Sequence, residues 1–277
     1  MTDQAPFDRS VEPLEPDHGS DDYDGVHAEI FGTGHRAVFV HGIFGWGTDT
    51  FPRQVELADD YQVVLLDRRG YGGSKNAGPP DWQLDAQAVL RLLGSGGHLV
   101  GHSYGAVVAL VAVCMRPDLV RSLVVIEPLA VGIARGDPAA DRFEAALRPV
   151  FEAAAGMTAR EFREAWSKAL GREPDTSGYS EADWEAVEAT RHEPWPSDAP
   201  IDLATVASGG FPILVVEGAW PGVDESIMRD GFWAVDRALT ERLGAPKVVF
   251  ERSGHNPQLE EPEKFNKLLR DFWATAR

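Results

Sequence analysis

Gly101-His102-Ser103-Tyr104-Gly105 is the stretch that decides the fold. A short apolar run precedes it and a long one, 106–115, follows, so the pattern predicts a strand, a sharp turn and a helix. Ser103 stands at the apex, where so tight a turn imposes strained backbone geometry. We expect glycine to be required at 101 and 105, because a Cβ there would block the close approach of strand and helix. The hydroxyl of Ser103 is therefore predicted to stand exposed above a sheet edge, beside the N-terminus of a helix.

The composition is that of an acidic globular protein. The 277 residues carry a net charge of −18, with 43% hydrophobic and 25% charged residues. This negative charge disfavours nucleic acid and anionic membranes as partners, since both require a basic surface. No apolar run is long enough to span a membrane, and an acidic N-terminus without an apolar signal core predicts a cytoplasmic protein.

The single cysteine, Cys114, falls in the helix predicted after the turn, where a buried thiol is expected. One cysteine excludes an intramolecular disulfide and a zinc site built from cysteines. We therefore expect neither a metal nor a cofactor. The expected partner is a small-molecule substrate, and the expected assembly is a monomer or a homodimer.

From residue 26 onward, short strand-like runs alternate with helical stretches. The runs are continuously apolar, which is typical of strands covered on both faces in a parallel sheet. We predict a doubly wound, mostly parallel α/β sheet. Predicted strands cover 37–40, 63–67, 97–100, 122–126, 212–216 and 247–250, and predicted helices cover 49–58, 81–94, 103–116, 228–243 and 262–276.

Residues 129–210 break this alternation, because they show three helical patterns and no strand pattern. An insertion between two parallel strands would sit above the carboxyl ends of the strands, where such sheets bind ligands. We interpret it as a helical cap over the core, which comprises residues 26–128 and 211–277. Residues 1–25 are rich in acids and prolines and are expected to form a poorly ordered extension.

His255 is the strongest candidate for a general base. A serine hydroxyl needs such a base within hydrogen-bond reach. His255 follows the last predicted strand and therefore lies at the same sheet edge as Ser103. His102 is expected to point away from Ser103.

The imidazole needs a carboxylate to fix its tautomer and stabilise its cation. Three acids lie at or just beyond strand ends on this edge: Glu127, Glu217 and Asp224. Strand position alone leaves the choice among them open.

Several motifs together resemble the α/β-hydrolase fold family. These are the order of turn, cap, acid and histidine, and the sequences 41–45 (HGIFG), 67–74 (DRRGYGGS) and 254–257 (GHNP). The resemblance covers about residues 26–277. It implies the α/β-hydrolase fold, a mostly parallel doubly wound sheet with an inserted helical cap.

This resemblance also implies roles for individual residues. Ser103 would be the nucleophile and His255 the base, while the backbone N–H groups of Ile43 and Tyr104 would form the oxyanion hole. His41 would hold the loop that carries Ile43. Many relatives carry an aspartate three residues after the glycine that ends the penultimate strand, but here that position is Pro221. The turn at 101–105 is called the elbow below. Other relatives place the acid after the strand that follows the helix after this elbow, which favours Glu127.

The expected activity is hydrolysis of an ester or lactone through an acyl-serine intermediate. Serine at 103 disfavours dehalogenase and epoxide hydrolase chemistry, which require a carboxylate nucleophile. Four aromatic residues are expected to shape an apolar substrate site: Phe44, Trp46, Trp184 and Trp220. Carbon–carbon bond hydrolysis or cofactor-free peroxidase chemistry is the enzymatic alternative, and a non-catalytic protein that binds small molecules is the other.

Overall fold

A computed structural model describes residues 25–276. The described residues form a seven-stranded sheet. Its strands are β1 (Ala28–Phe31), β2 (Arg36–Val40), β3 (Gln62–Leu66), β4 (Gly97–His102), β5 (Val120–Ile126), β6 (Ile213–Gly218) and β7 (Lys247–Phe250). Their order is β1-β3-β2-β4-β5-β6-β7, in which β1 runs antiparallel to β3 and the other pairs are parallel. The predicted fold class is confirmed.

Ten α-helices connect and cover these strands within residues 25–276. They are α1 (Gly47–Thr50), α2 (Trp82–Leu93), α3 (Tyr104–Met115), α4 (Pro138–Ala153), α5 (Ala159–Ala169), α6 (Glu181–Thr190), α7 (Leu203–Ser208), α8 (Ile227–Leu243), α9 (Pro257–Glu260) and α10 (Pro262–Thr275). None of the described helices combines the length and apolar character needed to cross a bilayer.

Two apolar layers enclose the sheet. On one face, α2, α3 and α8 pack against the strands, and all residues of α3 are buried. That burial explains why α3 is apolar all round rather than amphipathic. On the other face, α10 places Phe265, Leu269 and Trp273 against Phe39 and Phe250. Burial on both faces is why strands β2 to β5 read as continuous apolar runs.

The strand register brings the candidate residues to one edge. His102 on β4 lies opposite Ile126 on β5, and Ile126 lies opposite Val216 on β6. The residues that follow, Ser103 and Glu127, therefore leave the sheet side by side. Parallel strands place such carboxyl ends at a common edge, which is where open α/β sheets hold their ligands.

The structure differs from the prediction in several elements, and the short helices α7 and α9 were not predicted. Strand β1 was not predicted, because as a short, half-buried antiparallel edge strand it lacks the continuous apolar run of the others. The helix expected over 49–58 is divided into α1 and a 3₁₀ turn, Gln54–Asp59. Pro52 explains the break, since the residue before a proline is disfavoured in the helical region.

The segment between β5 and β6 contains α4, α5, α6 and α7 and no strand, and all of it is described. The proposed division into core and cap rests on this arrangement. The predicted extension, residues 1–25, lies outside the described residues except for Gly25.

Candidate active site

Ser103 occupies a sharp strand-to-helix turn. Its backbone has φ 54° and ψ −117°, and it immediately precedes α3. A Cβ added to Gly101 would lie 2.6 Å from Ala106 Cα, and one added to Gly105 would lie 2.1 Å from the carbonyl oxygen of Val40. Both positions therefore require glycine. Ser103 itself is only 3% exposed, because it opens into a cavity and not onto the open surface that the sequence predicted.

His255 lies on the loop after β7 and lines the same cavity as Ser103. Its ring stacks on Phe232 of α8, with 4.5 Å between ring centroids and 23° between planes. Its Nδ1 is 3.5 Å from Oε2 of Glu127. This distance exceeds an ordinary hydrogen bond, but the contacts of catalytic groups are often long before substrate binds and tighten on the way to the transition state.

Glu127 is the candidate acid that the structure places against His255. It is fully buried, and its carboxylate accepts the backbone N–H of Gly218 at 2.7 Å. The indole N–H of Trp220 donates to both of its oxygens, each at 3.3 Å. Glu217 instead pairs with Lys247 at 2.7 Å, and Asp224 is exposed.

Burial controls the protonation of this pair. It lowers the pKa of His255 to about 3, with a further decrease from the charge of Arg172 and an opposing increase from Glu260. A neutral imidazole is the form that can accept a proton from serine. Burial raises the pKa of Glu127, whereas the N–H groups of Gly218 and Trp220 lower it by stabilising the carboxylate.

The loop that follows β2 lies directly beside the serine. A Cβ added to Gly42 would lie 2.9 Å from Ser103 Cβ. The N–H of Phe44 donates to Thr190 Oγ1 at 3.1 Å, so it is occupied. The N–H groups of Ile43 and Tyr104 have no acceptor within residues 25–276. These two donors remain available for an oxyanion.

Strained backbone is concentrated at this site. Among the described residues, positive φ outside glycine occurs at Phe44 (64°), Ser103 (54°), Glu127 (43°) and Trp220 (51°). Such conformations cost about 1–3 kcal/mol each and persist where the surroundings impose them. Only the strain at Ser103 was visible in the sequence.

His102 contacts the candidate base His255, which the sequence analysis did not predict. Its Nε2–H donates to the backbone carbonyl of His255 at 2.9 Å, and its ring centroid is 4.7 Å from that of His255. His102 is the last residue of β4, and its side chain reaches the loop after β7 that carries His255. It thereby ties the two loops together.

The cavity has a volume of about 300 Å³. Trp166 of α5 and Met228 and Phe232 of α8 contribute to its wall. Its other lining residues are Ile43, Phe44, Gly45, Asp49, Thr50, His102, Ser103, Leu129, His255, Asn256 and Leu259. The wall is mainly apolar, which suits an uncharged group next to the scissile bond.

The four aromatic residues predicted to bind substrate lie in different parts of the structure. Phe44 lines the cavity, and Trp220 lies behind it against Glu127. Trp46 packs instead with Tyr71 and the inner residues of α6, and Trp184 lines a separate cleft. Both therefore lie outside the cavity that Ser103 lines, and their residue type alone could not show where they would pack. Trp166, Met228 and Phe232 were missed as lining residues for the same reason.

A buried polar network also escaped the sequence analysis. Arg68 is completely buried and pairs with Glu193 at 2.6 Å and Asp85 at 3.3 Å. Tyr71 donates its hydroxyl to the same oxygen of Glu193. The Arg68 guanidinium also donates to the carbonyl oxygens of residues 41 and 42, so it links the loop after β2 to the segment after α6.

His41 has the structural role expected of it. Its Nε2 accepts the backbone N–H of Arg68 at 2.9 Å, and its Nδ1–H donates to the carbonyl of Gly42 at 2.8 Å. Both ring nitrogens are therefore engaged in holding the loop.

Comparison with known proteins identifies the class that this fold and site define. The model of the alpha/beta hydrolase family matches residues 37–268. The chain belongs to that family.

Particular relatives differ in activity. The chain is 31% identical over 267 residues to the dihydrolipoyllysine-residue acetyltransferase component of the acetoin cleaving system of Cupriavidus necator, covering 90% of this chain and 67% of that one. It is 25% identical to the pimeloyl-[acyl-carrier protein] methyl ester esterase of Aeromonas hydrophila, covering 89% and 98%. The solved structure of Est816, described as an N-acyl homoserine lactone degrading enzyme, is 26% identical with a TM-score of 0.61, covering 90% and 98%.

Proposed function

We propose that this protein is a serine hydrolase that cleaves a carboxylic ester or lactone of a small molecule. The observation that carries the proposal is that His255, which lines the same cavity as Ser103, places its Nδ1 3.5 Å from the buried Glu127. A nucleophile and a base in one cavity, with an acid behind the base, form the arrangement that acyl transfer requires. An esterase and a lactone-degrading enzyme among the relatives add support.

The reaction follows from the chemistry of these groups. Ser103 Oγ attacks the carbonyl carbon while His255 Nε2 takes the hydroxyl proton. The oxyanion accepts the N–H groups of Ile43 and Tyr104, and Glu127 stabilises the imidazolium through Nδ1–H. Collapse breaks the ester C–O bond, and His255 gives its proton to the leaving alkoxide. Water then repeats these steps on the acyl-serine and releases the acid.

The first test is the hydrolysis of p-nitrophenyl butyrate by purified variants. Ser103→Ala is expected to abolish turnover, since it removes the hydroxyl that would form the acyl-enzyme. Glu127→Gln keeps the shape but loses the charge that supports the imidazolium, so kcat should fall about 10²-fold or more. Glu217→Gln is the matched control, because this acid ends the next strand but pairs with Lys247, and it should leave kcat nearly unchanged.

Two results would redirect the proposal. Equal loss of activity in the two glutamine variants would remove Glu127 from its role. Absence of ester and lactone hydrolysis by the folded wild-type protein would remove the proposed reaction, and a diketone and peroxide panel or a ligand-induced rise in Tm would then test the other activities.

A further inference from the structure

Two arginines of the segment between β5 and β6 lie against the loops of the candidate active site. The guanidinium of Arg163 on α5 lies 5.3 Å from the ring centroid of Phe44, on the oxyanion loop. The guanidinium of Arg172, just after α5, lies 5.9 Å from the ring of Trp220, which holds Glu127. One cation therefore borders each of the two loops that flank Ser103 and His255.

Neither guanidinium has a carboxylate partner within 4.0 Å among residues 25–276. The Arg163 side chain is held by the hydroxyls of Tyr179 and Ser167. The side chain of Arg172, which is exposed, makes no hydrogen bond within the described residues. Neither charge is paired with an acid at contact distance, although the Arg163 charge helps to lower the pKa of Asp175. Four other arginines are paired with acids: Arg148, Arg191, Arg229 and Arg237.

The Arg172 charge lies close to the reacting groups. The ring of Trp220 is 6.1 Å from that of His255, and Arg172 lies over the same ring. The positive charge of Arg172 also contributes to the lowered pKa of His255. An anion bound by this guanidinium would therefore sit within one small substrate's length of the scissile bond.

Two acids, Asp49 and Glu260, border other parts of the site, and an anion would not be bound beside them. Asp49 lines the cavity, where burial raises its pKa. Glu260 accepts the backbone N–H groups of Gly254 and Asn256 on the histidine loop. An anion is therefore expected to be bound beside Phe44 or Trp220, where Arg163 and Arg172 lie, and not beside Asp49 or Glu260.

We propose that the natural substrate, if the proposed ester hydrolysis holds, carries a carboxylate remote from the scissile bond and that Arg172 binds this group. The planar fork of a guanidinium matches the two oxygens of a carboxylate. Arg163 adds a second positive charge beside Phe44, a residue that lines the cavity. The apolar cavity then takes the uncharged part of the substrate next to the ester.

The test compares esters that differ only in a terminal charge. On the acyl side, the pair is the p-nitrophenyl monoester of glutaric acid and p-nitrophenyl pentanoate. On the alcohol side, the pair is p-acetoxybenzoate and its methyl ester. For each pair, the ratio of kcat/KM on the anionic ester to kcat/KM on the neutral ester is measured for the wild type and for Arg172→Gln.

We expect Arg172→Gln to lower that ratio about fivefold in at least one pair, because only the anionic ester carries a group that the guanidinium can bind. Added salt should reduce the ratio in the wild type more than in the variant, because screening weakens an exposed charge pair. Arg160→Gln is the matched control, since Arg160 lies on α5 over Trp184, outside the cavity. It should leave both ratios unchanged.

A ratio that is the same in wild type, Arg172→Gln and the Arg163→Gln/Arg172→Gln double variant, for both pairs, would overturn the proposal. An equal fall in Arg160→Gln would also overturn it, because the effect would then be one of general surface charge. Failure of the proposed function is distinguishable, since it would abolish turnover of the neutral esters as well.

Discussion

At the scale of single residues, the site depends on side chains held in backbone conformations that glycine adopts more easily. Ser103, Glu127, Phe44 and Trp220 all have positive φ, and each supplies a group that glycine lacks. The elbow pattern predicted this strain at Ser103. Nothing in the sequence marks it at the other three positions, because their conformations result from loops that pack against one another only in the folded protein.

Trp220 provides the sharpest test at this scale. Trp220→Phe keeps an aromatic ring but removes the N–H that reaches both oxygens of Glu127. Loss of this donor should raise the pKa of Glu127 further. Because catalysis needs ionised Glu127 and neutral His255, kcat/KM should rise with pH as Glu127 ionises. We expect the variant to shift that rise upward by about one pH unit.

The pH profile of kcat/KM on a neutral ester measures this shift. Trp195→Phe is a suitable control, because the Trp195 indole N–H is buried without a partner within the described residues. It should leave the profile in place. An unshifted profile in Trp220→Phe would show that this N–H does not support the ionised acid.

At the scale of elements, the turn around Ser103 depends on how closely β2, β4 and α3 approach. Gly105→Ala would place a methyl group 2.1 Å from the Val40 carbonyl and 2.4 Å from that of His41. Backbone atoms cannot move aside cheaply, so we expect a loss of about 3 kcal/mol in the free energy of unfolding. Urea denaturation measures it.

Gly156→Ala is the control for that experiment, since no atom lies within 4 Å of the added Cβ and its φ is not positive. It should change stability by less than about 1 kcal/mol. Similar stability of the two variants would contradict the packing described for the elbow.

The same scale shows why some elements were predictable. Strands β2 to β5 are buried on both faces, and this leaves a continuous apolar run in the sequence. Strand β1 is half buried, so its pattern is weak. Three of the four helices in 129–210 were visible from their spacing, but spacing does not show which helix lines the cavity. Trp166 lines the same cavity as Ser103, while Trp184 lines another cleft.

At the scale of the whole molecule, buried ion pairs of Arg68 connect the segment after α6 to the loop after β3. Arg68 carries one positive charge and faces two buried carboxylates, Asp85 and Glu193. Burial raises the pKa of Asp85 to about 7, although Arg68 acts against that rise. The sequence did not predict this network, because its members are 17 and 125 residues apart.

This network makes stability depend on pH. The folded protein holds a proton on Asp85 more strongly than the unfolded chain does, because its folded pKa lies above the ordinary 3.8. The stabilisation is complete below about pH 4 and is lost as pH rises toward 7 and above. Wild type should therefore lose more stability between pH 5 and pH 8 than Asp85→Asn does, by about 1 kcal/mol or more.

Urea denaturation at the two pH values measures this difference, and activity is not needed as a readout. The same loss in wild type and Asp85→Asn would show that Asp85 does not bind its proton more tightly in the folded protein.

The central claim is that Ser103 is the nucleophile, and labelling with a fluorophosphonate tests it most directly. Peptide mass spectrometry should find a single adduct, on Ser103, because the probe reacts with a serine that a neighbouring base activates. The adduct should be absent from Ser103→Ala. An adduct on another residue, or labelling that persists in Ser103→Ala, would contradict the account.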